Sequence, residues 1–321
     1  MISFLIFQPP AISNGALFVR KTALLTALAL AIAGCSSTAP NRDTLSVAQP
    51  QGTVEIKRDP QKIVSFDFGS VDTLAALGAG ARVVGAGDNP PAYLQPNGLT
   101  LASAGSLKSP DLDAVRALNP DLILVTGRQS DEGRKLADIA PTLDVSAGPD
   151  YLASVKQNIV TLGDLVGRKE QATAAVAELQ KRVDDTRARI NKSGKKTLVL
   201  THNEGRFSAT EQPVIYSVLQ APRALPAPAP QAPGAPRQRP QAISLEEIAA
   251  AKPDIIFIID RSAAIGQKPL DISALNGSAL LKTPAAKNND VFYLDPPLWY
   301  LSGGGLQSLT LQIEQIAQSY P

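Results

Sequence analysis

Two arginines occupy equivalent points of an internal repeat. The segment Leu112-Asp-Ala-Val115-Arg-Ala117-Leu-Asn-Pro120-Asp121-Leu-Ile-Leu-Val-Thr-Gly-Arg128 is echoed 133 residues later by Leu245-Glu-Glu-Ile248-Ala-Ala250-Ala-Lys-Pro253-Asp254-Ile-Ile-Phe-Ile-Ile-Asp-Arg261. In each, apolar residues three apart predict a helix, Pro-Asp a turn and an apolar run a strand; Arg lies eight residues after Pro. A guanidinium is permanently cationic, and its planar fork suits anionic oxygens. Ligand crevices of open α/β sheets lie beyond the carboxyl ends of the strands. Two facing lobes would therefore turn Arg128 and Arg261 toward one cleft. The competing reading pairs each Arg with a local carboxylate, and Asp260 is the obvious partner for Arg261. A second segment, Tyr293-Leu-Asp-Pro-Pro-Leu-Trp-Tyr300-Leu-Ser-Gly-Gly-Gly305, places the only Trp beside a Tyr and ahead of three glycines. On a cleft loop, Trp299 and Tyr300 would offer aromatic surface and a phenolic oxygen; in the core they would only pack. The glycines lack the spacing and the Lys of a phosphate loop, so they imply close backbone approach or a tight helix start.

Composition narrows the chemistry. The chain has 321 residues, 31 Lys+Arg against 29 Asp+Glu, one Cys and one His. A lone Cys excludes an intramolecular disulfide and any Cys-rich metal site. A lone His excludes a multi-His site. No Gly-x-Ser-x-Gly and no paired metal ligands occur, so hydrolase or lyase chemistry lacks its machinery, and the expectation is a protein that is not an enzyme. A net charge of +2 argues against a nucleic-acid partner. His202, at a strand end, reads as structural or solvent-facing.

The elements that must position these residues alternate. Strands are predicted over 63–66, 83–85, 122–125, 197–201, 254–259 and 291–294, with amphipathic stretches over 71–77, 112–118, 132–139, 245–250 and 306–319. Such alternation predicts an α/β fold with largely parallel sheets. Between the halves, Asp150 can cap a helix from Tyr151 to Val166, and a longer helical pattern covers 171–190 and stops at Gly194. The predicted architecture is two α/β lobes, 54–167 and 194–321, joined by one long helix at 168–193, with the ligand cleft between them. A Pro/Ala-rich run at 221–240 can hold neither helix nor strand and reads as an extended loop of the second lobe.

The N-terminus carries an address. Arg20 and Lys21 precede a short apolar run that ends in Ile32-Ala33-Gly34-Cys35. Positive, apolar and small residues in that order make a secretory signal, too short to span a membrane. The last four residues resemble a bacterial lipobox, which implies cleavage after residue 34 and lipid on Cys35, tethering the chain to a membrane. Residues 1–18 precede an already complete signal, so synthesis is expected to start at Val19. Small polar residues over 35–53 read as a flexible tether.

From about residue 54 to 320 the chain resembles the substrate-binding components of ABC transporters for iron–siderophores, within the branch that binds catecholates of the petrobactin and enterobactin type. The resemblance rests on residues 63–78, 118–128, 258–266 and 293–305. It implies an anionic ferric catecholate in the cleft, held by Arg128 and Arg261, with Tyr300 able to ligate iron and Trp299 beside it. Arg239 stands where some members place an iron-binding His. A third cleft Arg of the family has no counterpart in Ala209-Thr-Glu-Gln-Pro-Val-Ile-Tyr-Ser-Val-Leu219. The resemblance further implies no intrinsic cofactor, with the ferric siderophore as transported ligand. The partner is an ABC permease met by a carboxylate early in the first helix of each lobe, Asp72 and Glu211. The expected state is a monomer in the periplasm or at the cell surface. Haem, cobalamin and a hydroxamate siderophore remain alternative ligands.

Overall fold

In the computed structural model, which describes residues 5–6, 43–49, 52–129, 132–229 and 241–320, the repeated unit of the sequence is built twice. A two-residue strand, β1 (Leu5–Ile6), belongs to the second of the two large sheets. Then β2 (Thr44–Gln49) and β3 (Gly52–Lys57) pair antiparallel. This hairpin corrects the expectation of a flexible tether as far as residue 53. Leu45, Val47, Val54 and Ile56 alternate with polar residues, and that period buries one face against the first lobe's core. Residues 1–4 and 7–42, including Cys35, the rest of the expected signal and the first part of the tether, lie outside the described residues.

The first lobe runs β4 (Ile63–Ser65), α1 (Phe68–Ala76), β5 (Val83–Ala86), β6 (Ala102–Ser103), α2 (Leu112–Leu118), β7 (Leu122–Val125), α3 (Gly133–Ala137) and β8 (Thr142–Asp144). Its five strands are all parallel, in the order β6-β5-β4-β7-β8. Two helices follow, α4 (Tyr151–Leu165) and the 25-residue α5 (Lys169–Ser193). Asp150 caps α4 as its sequence predicts, accepting from the Ala153 N–H, and Gly194 ends α5 at φ 61°.

The second lobe runs β9 (Thr197–Asn203), β10 (Arg206–Ala209), β11 (Ala242–Ile243), α6 (Leu245–Ala251), β12 (Ile255–Asp260), α7 (Arg261–Ala264), α8 (Pro284–Lys287), β13 (Val291–Tyr293), α9 (Pro296–Tyr300) and α10 (Leu306–Gln318). Its strand order is β1-β13-β12-β9-β10-β11, parallel up to β9 and antiparallel beyond. The triplet β9-β12-β13 repeats β4-β7-β8. Helices cover both faces of each sheet, which is why β7, and β12 up to its last residue Asp260, are continuous apolar runs and fully buried. Helix α5 buries Leu179, Val183 and Ile190 in the second lobe's core and is tied to α10 by an Arg182–Glu314 ion pair at 2.7 Å. The Pro/Ala-rich run begins along the start of β9, where the Ala224 N–H donates to Thr197 O; its residues 230–240, with Arg239, lie outside the described residues.

Candidate cleft between the lobes

The Pro-Asp turns explain why the repeat delivers an Arg to the same place twice. Asn119 and Lys252 end α2 and α6 in the left-handed conformation. The next acidic residue in each unit then fastens the neighbouring strand. Asp121 accepts from the Gln61 and Lys62 N–H groups just before β4, and Asp254 accepts from the Lys196 N–H just before β9. The strands β7 and β12 thereby start in register beside β4 and β9, and their carboxyl ends lead into Arg128 and Arg261. On the first side, buried Gln129 holds the turn by accepting from the Thr126 N–H and donating to Leu107 O.

Both guanidinium groups reach Tyr300 from opposite lobes. The Arg128 Nη2 donates to the Tyr300 carbonyl at 3.2 Å, and the Arg261 Nε donates to the Tyr300 Oη at 2.7 Å. Arg261 also donates through Nη1 to Asn203 Oδ1 at 2.5 Å. Arg128 is exposed, while Arg261, Asn203 and Tyr300 are half-buried. The three residues singled out in the sequence thus meet, and Asn203 joins them without having been foreseen.

Asp260 is not the partner of Arg261. Its carboxylate faces inward, accepting from His202 Nδ1 at 2.8 Å, Tyr293 Oη at 2.8 Å, and the Ala263 and Leu270 N–H groups. Burial alone would raise the Asp260 carboxyl, yet these bonds hold it below its usual range. His202 Nε2 accepts from the Gly205 N–H, so the network assigns its proton to Nδ1. The pair is buried. It fixes the turn after β9, which carries Asn203, and the start of α7, which carries Arg261. His202 is therefore structural, as its position suggests, and the Arg261 guanidinium is left for the cleft.

The three glycines form the floor. A Cβ on Gly69 would strike the Gly303 carbonyl, and one on Gly305 would strike Gly69 O and the Asp72 carboxylate. Gly304 has φ 54°, a left-handed value natural for glycine. This contact lets α1 of the first lobe cap α10, which packs in the second lobe's core. Asp72 accepts from the Gln307 N–H at 2.9 Å and the Ser308 N–H at 3.1 Å, and Thr73 Oγ1 accepts from the Leu306 N–H at 2.9 Å. Tyr93 Oη adds a bond to Asp72 at 3.1 Å. Three of the four orphan N–H donors at a helix start are satisfied across the lobe boundary. Asp72 is fully buried. Burial pushes its carboxyl up to about 7, against the bonds from Ser308, Gln307 and Tyr93.

Two site assignments are corrected here. Asp72 is not a surface carboxylate that a permease could meet, because α1 is buried from Phe68 to Leu74 and the Asp72 side chain is fully enclosed against the start of α10. Trp299 is not a cleft residue. Capping of α9 by Asp295 turns Leu298 and Trp299 inward, and the indole N–H donates to Gln315 Oε1 at 2.6 Å within the core. Glu211 is exposed, as a docking residue requires, and is paired with Arg223 at 2.5 Å.

A cavity of about 240 Å³ opens beside Arg128 on the first-lobe side. Asp67, Asn158, Tyr151 and the backbone of Gly303 and Gly304 supply its polar lining. Burial raises the Asp67 carboxyl, opposed by bonds from Ser70 and the charge of Arg128. The Tyr151 phenol is pushed up to about 12 by burial and by the Asp67 charge.

Two α/β lobes bridged by a long helix, with cationic side chains converging between them, are the build of a cleft-type solute-binding protein. The chain belongs to the periplasmic binding protein family, whose profile matches residues 63–298. It is 32% identical over 308 residues to the petrobactin-binding protein YclQ of Bacillus subtilis, covering 92% of this chain and 95% of that one. It is 30% identical over 284 residues to the ferric-anguibactin-binding protein FatB of Vibrio anguillarum, covering 84% and 85%. The crystal structure of YclQ superposes with a TM-score of 0.78 over 86% of this chain and 98% of that one.

Proposed function

We propose that this chain is the solute-binding component of an ABC importer and carries an anionic ferric siderophore, a catecholate, in the cleft between its lobes. The observation that carries this reading is the convergence of Arg128 and Arg261 on Tyr300 from opposite lobes, with no carboxylate paired to either guanidinium among the described residues. Two permanent cations at a water-accessible cleft suit a complex whose negative charge is spread over several oxygens. The relatives named for petrobactin and ferric-anguibactin binding support the same ligand class. Iron enters as cargo inside its chelator. Tyr300 either completes the iron coordination of a complex with open sites or hydrogen-bonds the chelator through its phenol. Arg239 is a further candidate contact.

In this reading the mature chain is a monomer anchored through lipid on Cys35, and it docks on its permease through Glu211 in the second lobe. Calorimetric titration with ferric catecholates, ferric hydroxamates, haem and cobalamin tests the ligand class. Tight binding of the ferric catecholates alone is expected. Preference for haem, cobalamin or a hydroxamate complex overturns the catecholate reading.

A further inference from the structure

Arg261 owes its aim to a turn that is itself held by a titratable acceptor. Asn203 ends β9, Arg206 starts β10, and the two pair across a two-residue turn. Both turn residues are left-handed, Glu204 at φ 50° and Gly205 at φ 77°. A tight hairpin asks for that conformation; glycine takes it freely, whereas a glutamate there is strained. Two bonds hold the turn. The Glu204 N–H donates to Ser262 Oγ at 2.9 Å, and the Gly205 N–H donates to His202 Nε2 at 3.0 Å. Asn203, at the foot of the turn, accepts from Arg261 Nη1 at 2.5 Å. His202 and Asp260 are buried beneath it. Asp260 takes the His202 Nδ1–H along with three other donors, so any further proton on the imidazole must go to Nε2. That is the atom on which the Gly205 N–H rests.

We infer that His202 is a proton-sensitive positioning residue of the cleft: neutral, it holds the β9–β10 turn and, through Asn203, the Arg261 guanidinium; protonated, it releases both and loosens the grip on an anionic ligand. The inference rests on the reading that Arg261 meets such a ligand. An imidazole ordinarily titrates between about pH 5 and 8. The added proton aims an N–H at the Gly205 N–H, two donors with no acceptor between them. The added charge does not replace what is lost, because Asp260 takes it at 2.8 Å. The other groups around His202 are mixed in charge. Tyr293 of β13 donates to the same Asp260 carboxylate, and the Phe207 ring of β10 lies 5.6 Å from the imidazole. Glu204 and Arg206 of the hairpin, Glu247 of α6, and Lys268 and Asp271 beyond α7 line the surface pocket that His202 borders. A carboxylate that turned in to accept the new N–H would displace the Gly205 amide, so the turn opens in either case. The cleft thereby binds its ligand less tightly as its surroundings acidify.

Titration of the full chain with a synthetic ferric bis-catecholamide, from about pH 7.5 to about pH 5.5, tests this. His202→Gln has an amide N–H₂ to donate to Asp260 and an oxygen for the Gly205 N–H, and it does not titrate. Asn203→Ala cuts the link from the turn to Arg261. Protonation of the complex itself weakens all three proteins alike, so the ratio between them is read. Wild-type affinity is expected to fall about tenfold more over this range than that of either variant. Without ligand, the Gly205 amide resonance of the wild type is expected to move with the His202 titration in heteronuclear NMR spectra. It should move likewise in Asn203→Ala, which keeps the imidazole, and stay in place in His202→Gln. A wild-type binding profile that parallels both variants, or that tightens toward acid relative to them, overturns the inference. So does a wild-type Gly205 resonance that stays fixed across the range. If His202→Gln does not fold, the comparison with Asn203→Ala and the wild-type resonance carry the same decision. If the complex does not bind the wild type at about pH 7.5, the catecholate reading falls instead, and the Gly205 resonance still decides the proton sensitivity of the turn.

Discussion

Asp72 offers the most direct test of how the lobes are joined. Its buried carboxylate accepts from two backbone N–H groups of α10 and from Tyr93. Asp72→Ala would leave these three donors without an acceptor. At about 1–3 kcal/mol for each orphaned buried group, the loss is on the order of 3–9 kcal/mol, a large share of a domain's net stability. The pH dependence is equally specific. Burial raises this carboxyl from 3.8 to about 7. A raised folded pKa means that the native chain holds a proton the unfolded chain releases. The contribution is therefore fully present below about pH 4 and is lost as pH rises through about 7. About three pKa units correspond to about 4 kcal/mol. Asp72→Asn cannot titrate. Urea unfolding between pH 4 and 8 should show the wild type losing stability relative to Asp72→Asn as pH rises. Amide exchange at Gln307 and Ser308 should accelerate in Asp72→Ala. Parallel pH profiles for wild type and Asp72→Asn would refute the assignment. An Asp72→Ala chain with wild-type stability and a defect in uptake alone would return Asp72 to the permease surface.

The remaining predictions concern the cleft and the docking surface. Arg128→Ala and Arg261→Ala should each weaken ferric catecholate binding about ten- to a hundredfold, the effect of roughly 1–3 kcal/mol per charge-assisted contact; titration that finds wild-type affinity in both removes the basis of the proposed function. Arg128→Ala should leave the melting temperature almost unchanged, since its exposed side chain makes a single bond to Tyr300 O. Tyr300→Phe should abolish a tyrosinate-to-iron absorption band when a tetradentate ferric complex is bound, and an unchanged spectrum and affinity would show that the phenol is not a ligand. Glu211→Lys should impair uptake in cells while sparing ligand affinity, because Glu211 is exposed and pairs only at the surface with Arg223; normal uptake by this variant would place the docking contact elsewhere.

The parts of this molecule that were legible in the sequence are those governed by local period and by repetition. Strand β7 and helix α2 fall where the apolar spacing puts them, and α5 extends the predicted helix at both ends. Arg128 and Arg261 were readable because the same helix–turn–strand unit occurs twice and both copies end in Arg. What was hidden depends on contacts between distant segments. Asp72 looks like a surface charge in a helix, but it is the one charged residue of a nine-residue helix made otherwise of apolar and small residues, and that pattern was the available signal of burial. Trp299 was misplaced because Pro-Pro-Leu-Trp-Tyr carries no period, and only the cap at Asp295 decides which ring turns inward. The β2–β3 hairpin was missed because its composition is polar, although Leu45, Val47, Val54 and Ile56 alternate as a half-buried pair requires. Asn203 carries no signal at all; it reaches Arg261 because β9 and β12 are adjacent.

These contacts also bear on how the cleft recognises its ligand. The lobes are joined by α5, which is packed against both α4 and α10, and by the cap that α1 places on α10. Tyr300 and the glycine floor lie on the short stretch that leads into that capped helix start, so the first lobe holds in place the segment that presents the second lobe's phenol. Arg261 is aimed by the His202–Asp260 network and Arg128 by Gln129. Each cationic side chain thus rests on its own buried polar support. A site whose groups are oriented before the ligand arrives loses little freedom on binding, and its affinity then follows the match of charge and shape. Substitutions at the supports should accordingly weaken binding by letting a guanidinium wander, whereas substitutions at the guanidinium groups remove the attraction itself.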